Sequence, residues 1–205
     1  MKPFLDFLKE ERSSRQGLHA FDVDDTLFHT TAKIRVMKGN KHVASLSNSE
    51  YNTHELPKGH HYDYSEFRSA EKFDKESKPN NRMLDKMKSL HDQAKKHGGK
   101  VIINTARADF DDKDKFLGTF RKHGVDIDHI HVHRAGNLSG SGTVAEKKAS
   151  VIRNELQKGK YSHASLYDDS HHNLNKFLEL KKEFPHVKFH AYHVKPDGRS
   201  KKYTG

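Results

Sequence analysis

The chain has 205 residues, with 38 Lys and Arg against 28 Asp and Glu, a net charge of +10 with histidine neutral. That length holds one domain with room for a sizeable insertion, and a hydrophobic content of 32% limits its core to short buried strands and half-buried helices. The absence of cysteine excludes disulfides and thiolate zinc sites, and no apolar run approaches the length of a membrane span. The basic excess favours polyanionic partners such as nucleic acid or nucleotides, or it serves solubility.

The first stretch, MKPFLDFLKEERSSRQG, is too charged for a secretory signal. With the lack of cysteine, which fits a reducing compartment, this points to the cytoplasm. Phe4, Leu5 and Leu8 are spaced as one face of a short helix. The apolar pattern predicts a strand over Leu18 to Val23. From Ala32 to Leu46, Ile34 and Val36 alternate with polar residues and Val43 continues beyond a Gly39-Asn40 turn, a hairpin signal. Asn48 to Tyr64 reads as loop, Ser65 to Phe73 as a short helix with Ser65 as N-cap, and Asp74 to Asn81 as loop. Met83, Leu84, Met87, Leu90 and Ala94 predict a helix over Arg82 to His97, stopped by Gly98-Gly99.

A strand follows at Val101 to Asn104, then a helix from Lys113 to His123 and a strand at Ile130 to His133. Gly140 and Gly142 mark a loop. Thr143 and Glu146 form a capping-box pattern for a helix running through Leu156. Ala164 to Asp168 reads as strand, His171 to Glu183 as helix, Val187 to Val194 as the last strand, and the tail after Pro196 as loose. Strands alternating with helices imply a parallel sheet covered on both faces.

The chemistry concentrates in LHAFDVDDTLF, Leu18 to Phe28. Asp22, Asp24 and Asp25 crowd the end of an apolar strand, where carboxylates repel one another and lose hydration unless a positive group sits among them. A divalent cation in a phosphate-handling site supplies that charge. Three further fragments follow: Asn104-Thr105-Ala106-Arg107, Lys147-Lys148, and Tyr167-Asp168-Asp169-Ser170. Parallel sheets bind ligands beyond the carboxyl ends of their strands, and Asp22, Thr105 and Asp168 all fall at such ends.

In this order the four fragments resemble the signature motifs of the haloacid dehalogenase (HAD) superfamily of phosphohydrolases, over about Leu18 to Ser170. The resemblance implies an α/β fold: a three-layer Rossmann-like parallel sheet in the order 5-4-1-2-3, with Asp22 on its central strand. It also implies a single domain over 1–205 with a flap and small cap inserted at 28–80. The implied activity is Mg2+-dependent phosphomonoester hydrolysis through an aspartyl-phosphate. Asp22 matches the nucleophile and Asp24 the general acid/base, whose backbone carbonyl also binds metal. Asp25 stands where many relatives have Gly, and otherwise reads as a solvated turn acid. Thr26 closes the loop by bonding backbone.

Thr105, Ala106 and Arg107 match the substrate-binding stretch, where a hydroxyl and a backbone amide hold a phosphate oxygen. Read without the resemblance, Thr105 is a strand-end Thr bonding its own loop and Arg107 a helix-start or surface Arg. Lys147 or Lys148 matches the lysine that neutralises nucleophile and phosphate. Lys148 is preferred, because it shares a helix face with Val144, Val151, Ile152 and Glu155. Asp168 and Asp169 match the metal-binding acids, with Asp22 and Asp24 completing the metal set and Ser170 and Asn173 orienting them.

The layout also resembles HAD-like proteins of large bacterial viruses. With the basic charge, this makes nucleotides or nucleic-acid ends the leading substrate class. Small phosphorylated metabolites are the alternative, as is a non-catalytic module that binds nucleic acid or protein. Lys33, Arg35, Lys38, Lys41, Tyr51, His60, His61, Tyr62, Tyr64 and Arg68 in the insertion suit a nucleic-acid end by charge and stacking, or form a solvated flap face. His129, His131 and His133 alternate on one strand face. A zinc site there is the alternative; lacking a ligand spacing of known type, they read as surface or core histidines.

Overall fold

The computed structural model describes residues 16–51, 53–139 and 141–205. The expected helix of Phe4, Leu5 and Leu8, and Gly140, lie outside them. The strands are β1 (Gly17–Phe21), β2 (Phe28–His29), β3 (Ile34–Lys38), β4 (Lys41–Leu46), β5 (His61–Asp63), β6 (Lys78–Pro79), β7 (Lys100–Thr105), β8 (His131–Arg134), β9 (His163–Asp168), β10 (Lys188–Val194) and β11 (Ser200–Tyr203). The helices are α1 (Asn48–Tyr51), α2 (Ala70–Glu76), α3 (Asn81–His97), α4 (Lys113–Lys122), α5 (Val144–Lys158) and α6 (His171–Glu179).

The central sheet runs β11-β10-β9-β1-β7-β8. All its pairings are parallel except that of β10 with β11. The five expected strands, taken in chain order, therefore lie 5-4-1-2-3, with β1 central. The residues of β1 are all buried, and alternation sends Leu18 and Ala20 to one core and Phe21 to the other. On one face Phe21 and Ile103 meet Met87 and Leu90 of α3 and Phe116 and Phe120 of α4. On the other, Leu18, Ala20 and Ile102 meet Val151 and Ile152 of α5 and Leu174 and Phe177 of α6.

α3 starts where the Asn80 side chain accepts from the Met83 amide, and ends at Gly98 in the left-handed conformation. The expected capping box opens α5, with Thr143 and Glu146 bonding each other's backbone. Among the described residues no helix is long and apolar enough to cross a membrane.

The insertion is bracketed by its own base: β2 pairs antiparallel with β6, Phe28 opposite Pro79 and His29 opposite Lys78. Between them the expected β3–β4 hairpin gains a third strand, β5, against β3. Residues read as loop thus supply α1, β5, the end of α2 and β6. α2 begins later than expected, with Ser69 and not Ser65 accepting from the Lys72 amide. Ser65–Arg68 is a separate 3-10 turn. α2 packs on α4 through Phe73, whose ring lies 4.9 Å from Phe116, and through the Asp74–Lys122 pair at 2.6 Å.

Near the C-terminus the structure departs from expectation twice. The α-helix from His171 ends at Glu179 and tightens into a 3-10 turn at Leu180–Lys182. The tail is not loose. Pro196-Asp197-Gly198 turns it back, with Gly198 at φ +78° and its amide donating to Lys195 O at 2.8 Å, so that β11 covers the edge of β10. A Cβ on Gly198 would fall 2.5 Å from Asn80 Oδ1, so the turn and α3's cap fit only with glycine there.

Candidate active site

The acidic loop leaves β1 as its ladder ends: the Asp22 amide donates to Tyr167 O at 3.0 Å. The chain then folds on itself, the amides of Leu27 and Phe28 both donating to Val23 O at 3.0 Å. Closing this turn places Asp25 at φ +57°, a conformation that suits Gly, Asn and Asp, which accounts for glycine being common at that position in the resembled family. Asn80 braces the far side. Its side chain donates to Thr26 O at 2.9 Å and its amide to Leu27 O at 2.9 Å. The Thr26 hydroxyl is buried without a hydrogen-bond partner, so the expected loop-closing bond from that side chain is not made.

Asp22 and Asp168 are buried at the ends of adjacent strands, and Lys148 joins them. Its Nζ lies 2.6 Å from Asp22 Oδ1 and 3.0 Å from Asp168 Oδ2. Lys148 reaches inward because Ile152 and Glu155, one and two turns further along α5, share its buried face. Val151 is buried too, whereas Val144, expected on this face, is 40% exposed. The Asn104 side chain donates to Lys148 O at 3.0 Å and so ties α5 to the end of β7. Lys147, the other candidate, is half-exposed; both ion pairs are made by Lys148.

Asp22, Asp168 and Asp169 hold carboxylate oxygens within 4.8 Å of one another. The Ser170 amide and the Asn173 side chain each donate to Asp168 Oδ1 at 2.9 Å. Ser170 therefore orients this acid through its backbone. Burial pushes the Asp22 carboxyl up to about 7; Lys148 opposes this, and Asp168 and Asp24 add to it. Burial and then the charges of Asp168 and Asp22 push Asp169 up to about 9. For Lys148, burial works against the ammonium, but Asp168 and Asp22 outweigh it and hold the pKa above the ordinary lysine value. Three hard oxygen donors this close, short of positive charge, fit a small divalent cation such as Mg2+.

The Asp24 carboxylate is turned away from these acids, to Arg107. Arg107 Nε lies 2.9 Å from Asp24 Oδ2 and Nη2 2.7 Å from Oδ1. The surface reading of Arg107 does not hold, since it is buried and further donors go to Phe67 O at 2.8 Å and Thr30 Oγ1 at 3.3 Å. The guanidinium also lies 4.7 Å from the ring centre of Phe73 and 5.0 Å from that of Phe67. Thr105 Oγ1 accepts from the Arg107 amide at 3.1 Å, the strand-end bond that is the plain reading of this residue, while Ala106 between them is exposed. Gly136 presses on this loop: a Cβ there would lie 2.3 Å from Ala106 O.

The insertion reaches the site directly. Asn48 Nδ2 donates to Asp25 Oδ2 at 2.8 Å. Beside it Tyr51 stacks edge-on to Tyr62 at 4.9 Å and bonds the Tyr64 hydroxyl at 2.8 Å, and Tyr64 is 44% exposed. Of the basic residues there, Arg35 is spent on Glu66 at 3.0 Å. The sequence reading passed over Asn48, Asn80 and Gly136, and gave Asn104 no role of its own. Only Asn80 carried a local signal, an Asn before a helix.

No protein-family model matches the chain, and no curated protein matches it. One solved structure is similar in fold. It is the HAD domain of effector protein Lem4 from Legionella pneumophila, which covers 87% of this chain and 87% of its own, with a TM-score of 0.49 and 13% identity.

Proposed function

We propose that the chain is a Mg2+-dependent phosphomonoester hydrolase that works through an aspartyl-phosphate on Asp22 and acts on nucleotides or nucleic-acid ends. The observation that carries this reading is Lys148 Nζ set between Asp22 and Asp168, 2.6 and 3.0 Å away, beside a third acid within 4.8 Å. A buried carboxylate pointed at a buried ammonium, at the switch point of a parallel sheet, is an arrangement for receiving a phosphoryl group.

In this reading an Asp22 oxygen attacks phosphorus and forms the aspartyl-phosphate, while Asp24, swung from Arg107 toward the substrate and protonated there, gives its proton to the leaving oxygen. Asp24 then takes a proton from the water that attacks the aspartyl-phosphate and frees Asp22. Lys148 balances charge on Asp22 and the phosphoryl oxygens, and the Thr105 hydroxyl and the amide after it bind one of those oxygens. Arg107 holds Asp24. Asp22, Asp168, Asp169 and the Asp24 backbone carbonyl would hold Mg2+, which when bound neutralises charge on the transferring group.

The +10 charge and the tyrosine cluster of the insertion, with Tyr64 exposed, support a nucleotide or nucleic-acid substrate, met by charge and stacking. The resemblance to HAD-like proteins of bacterial viruses supports a phage-encoded, cytoplasmic role. Acid-quenched turnover mixtures, digested and weighed, should show a phosphate adduct on the peptide carrying Asp22. Its absence, with turnover intact in Asp22→Asn, would overturn the mechanism. Hydrolysis of phosphorylated oligonucleotides should fall steeply with added salt, whereas hydrolysis of a small metabolite should not.

A further inference from the structure

We propose that His131, His133 and Glu155 form a second metal site, for a transition ion of the Zn2+ class, separate from the catalytic acids. β8 is an edge strand of the central sheet. Strand alternation puts His131 and His133 on one face, ring centres 4.6 Å apart. Glu155 of α5 is 4% exposed, and its Oε1 lies 3.5 Å from His133 Nε2. That nitrogen is buried and has no hydrogen-bond partner.

A buried imidazole nitrogen facing a carboxylate oxygen with no hydrogen bond between them is an unfavourable contact. A cation between the two relieves it. A ring hydrogen on Nε2 is one choice, but the nitrogen stands 3.5 Å from Oε1 and makes no hydrogen bond there. A metal is the other choice. Two ligand atoms on one tetrahedral zinc lie about 3.3 Å apart, close to the spacing found.

The second donor is in place, and the third comes with a turn of one exposed side chain. Glu155 Oε2 is satisfied by Lys100 at 2.6 Å, which leaves Oε1 to bind, with Lys158 3.8 Å away. His131 is exposed and free to turn inward as the third ligand, and water fills the fourth position. Two histidines and one carboxylate are a donor set that zinc takes in open sites. Glu155 lies seven residues beyond Lys148 on α5, about 10 Å along the axis, so this is not the acid cluster.

The test uses the full chain with Mg2+ in excess, titrated with Co2+ and read by visible absorption. Tetrahedral Co2+ absorbs strongly and six-coordinate, oxygen-bound Co2+ weakly, so the signal reports this site and not the acids. The expected result is one equivalent of intense band that Zn2+ displaces, that His133→Gln abolishes and that His131→Ala, a change at an exposed side chain, weakens by more than about tenfold. Absence of an intense band, or a band that survives both substitutions, would overturn the proposal.

Discussion

Arg107 grips Asp24 by both carboxylate oxygens, with Nη2 2.7 Å from Oδ1 and Nε 2.9 Å from Oδ2, although 83 residues separate the two in sequence. The same guanidinium donates to Phe67 O in the insertion. One side chain therefore joins the proposed acid to the insertion. A planar fork is needed for this, and lysine does not supply one.

Arg107→Lys should separate substrates by leaving group. Loss of a positioned acid costs about 10²–10⁴-fold where the leaving oxygen needs a proton. The kcat for a nucleoside monophosphate should fall by that order, and the kcat for p-nitrophenyl phosphate much less, because its leaving group departs without one. Equal losses on the two substrates would show that Arg107 acts only through stability.

Replacing Lys148 by Met strands two buried carboxylates, Asp22 and Asp168. Turnover should fall by two orders of magnitude or more, roughly the effect of removing a preorganised charge partner. Stability without metal should drop by about 3–5 kcal/mol, as for a broken buried ion pair. Lys147→Met should leave both unchanged. Steady-state kinetics and urea titrations of the two variants decide this, and similar losses in both would contradict the assignment.

Asp169 makes stability depend on pH in a chosen window. Its carboxyl is raised from 3.8 to about 9, so between those values the folded state binds more protons than the unfolded one, and stability falls as pH rises. Asp22 contributes in the same direction up to about 7. His19 and His133, lowered from 6.5 to about 4, act in the opposite direction but only below 6.5. In EDTA, Tm should therefore fall from pH 7 to 9, and Mg2+ or Asp169→Asn should flatten the slope. A Tm that rises over this range in EDTA would be contrary to this.

Phe73 is the anchor of the insertion. Its ring meets Phe28 at 5.0 Å and Phe116 at 4.9 Å, and it lies under Arg107. Phe73→Ala should cost about 3–5 kcal/mol and loosen the grip on Asp24, so that denaturant midpoint and nucleotide turnover fall together. A fully stable variant would mean that the insertion is held elsewhere.

Elements that carry their own periodicity were legible from the residues. Met83, Leu84, Met87, Leu90 and Ala94 mark α3, and the apolar runs before Asp22, Thr105 and Asp168 mark the strands that assemble the site. The sheet order, by contrast, followed from the family resemblance and not from any local pattern. β5, β6 and β11 were missed because they are short and polar, and strands of that kind form only where a partner is already in place. Lys78–Pro79 pairs because Phe28–His29 is there, and β11, rich in lysine, suits an exposed edge. Its turn was written as Pro196-Asp197-Gly198, a readable signal passed over.

Side-chain partners across long separations left no local trace. Which oxygens Arg107 holds, and that Asn104 ties down Lys148, are decided by packing. The preference for Lys148 over Lys147 was legible because helical spacing alone set it on the face of Ile152 and Glu155.

The most direct measurement is phosphate release by the purified protein, with and without Mg2+, beside Asp22→Asn. The panel would contain p-nitrophenyl phosphate, nucleoside monophosphates and oligonucleotides phosphorylated at the 3′ or 5′ end. The expected result is Mg2+-dependent release, strongest on nucleotides or oligonucleotide ends, and abolished in a folded Asp22→Asn variant. Folded wild-type protein that binds Mg2+ and releases no phosphate from any of them, or an Asp22→Asn variant as active as wild type, would contradict it.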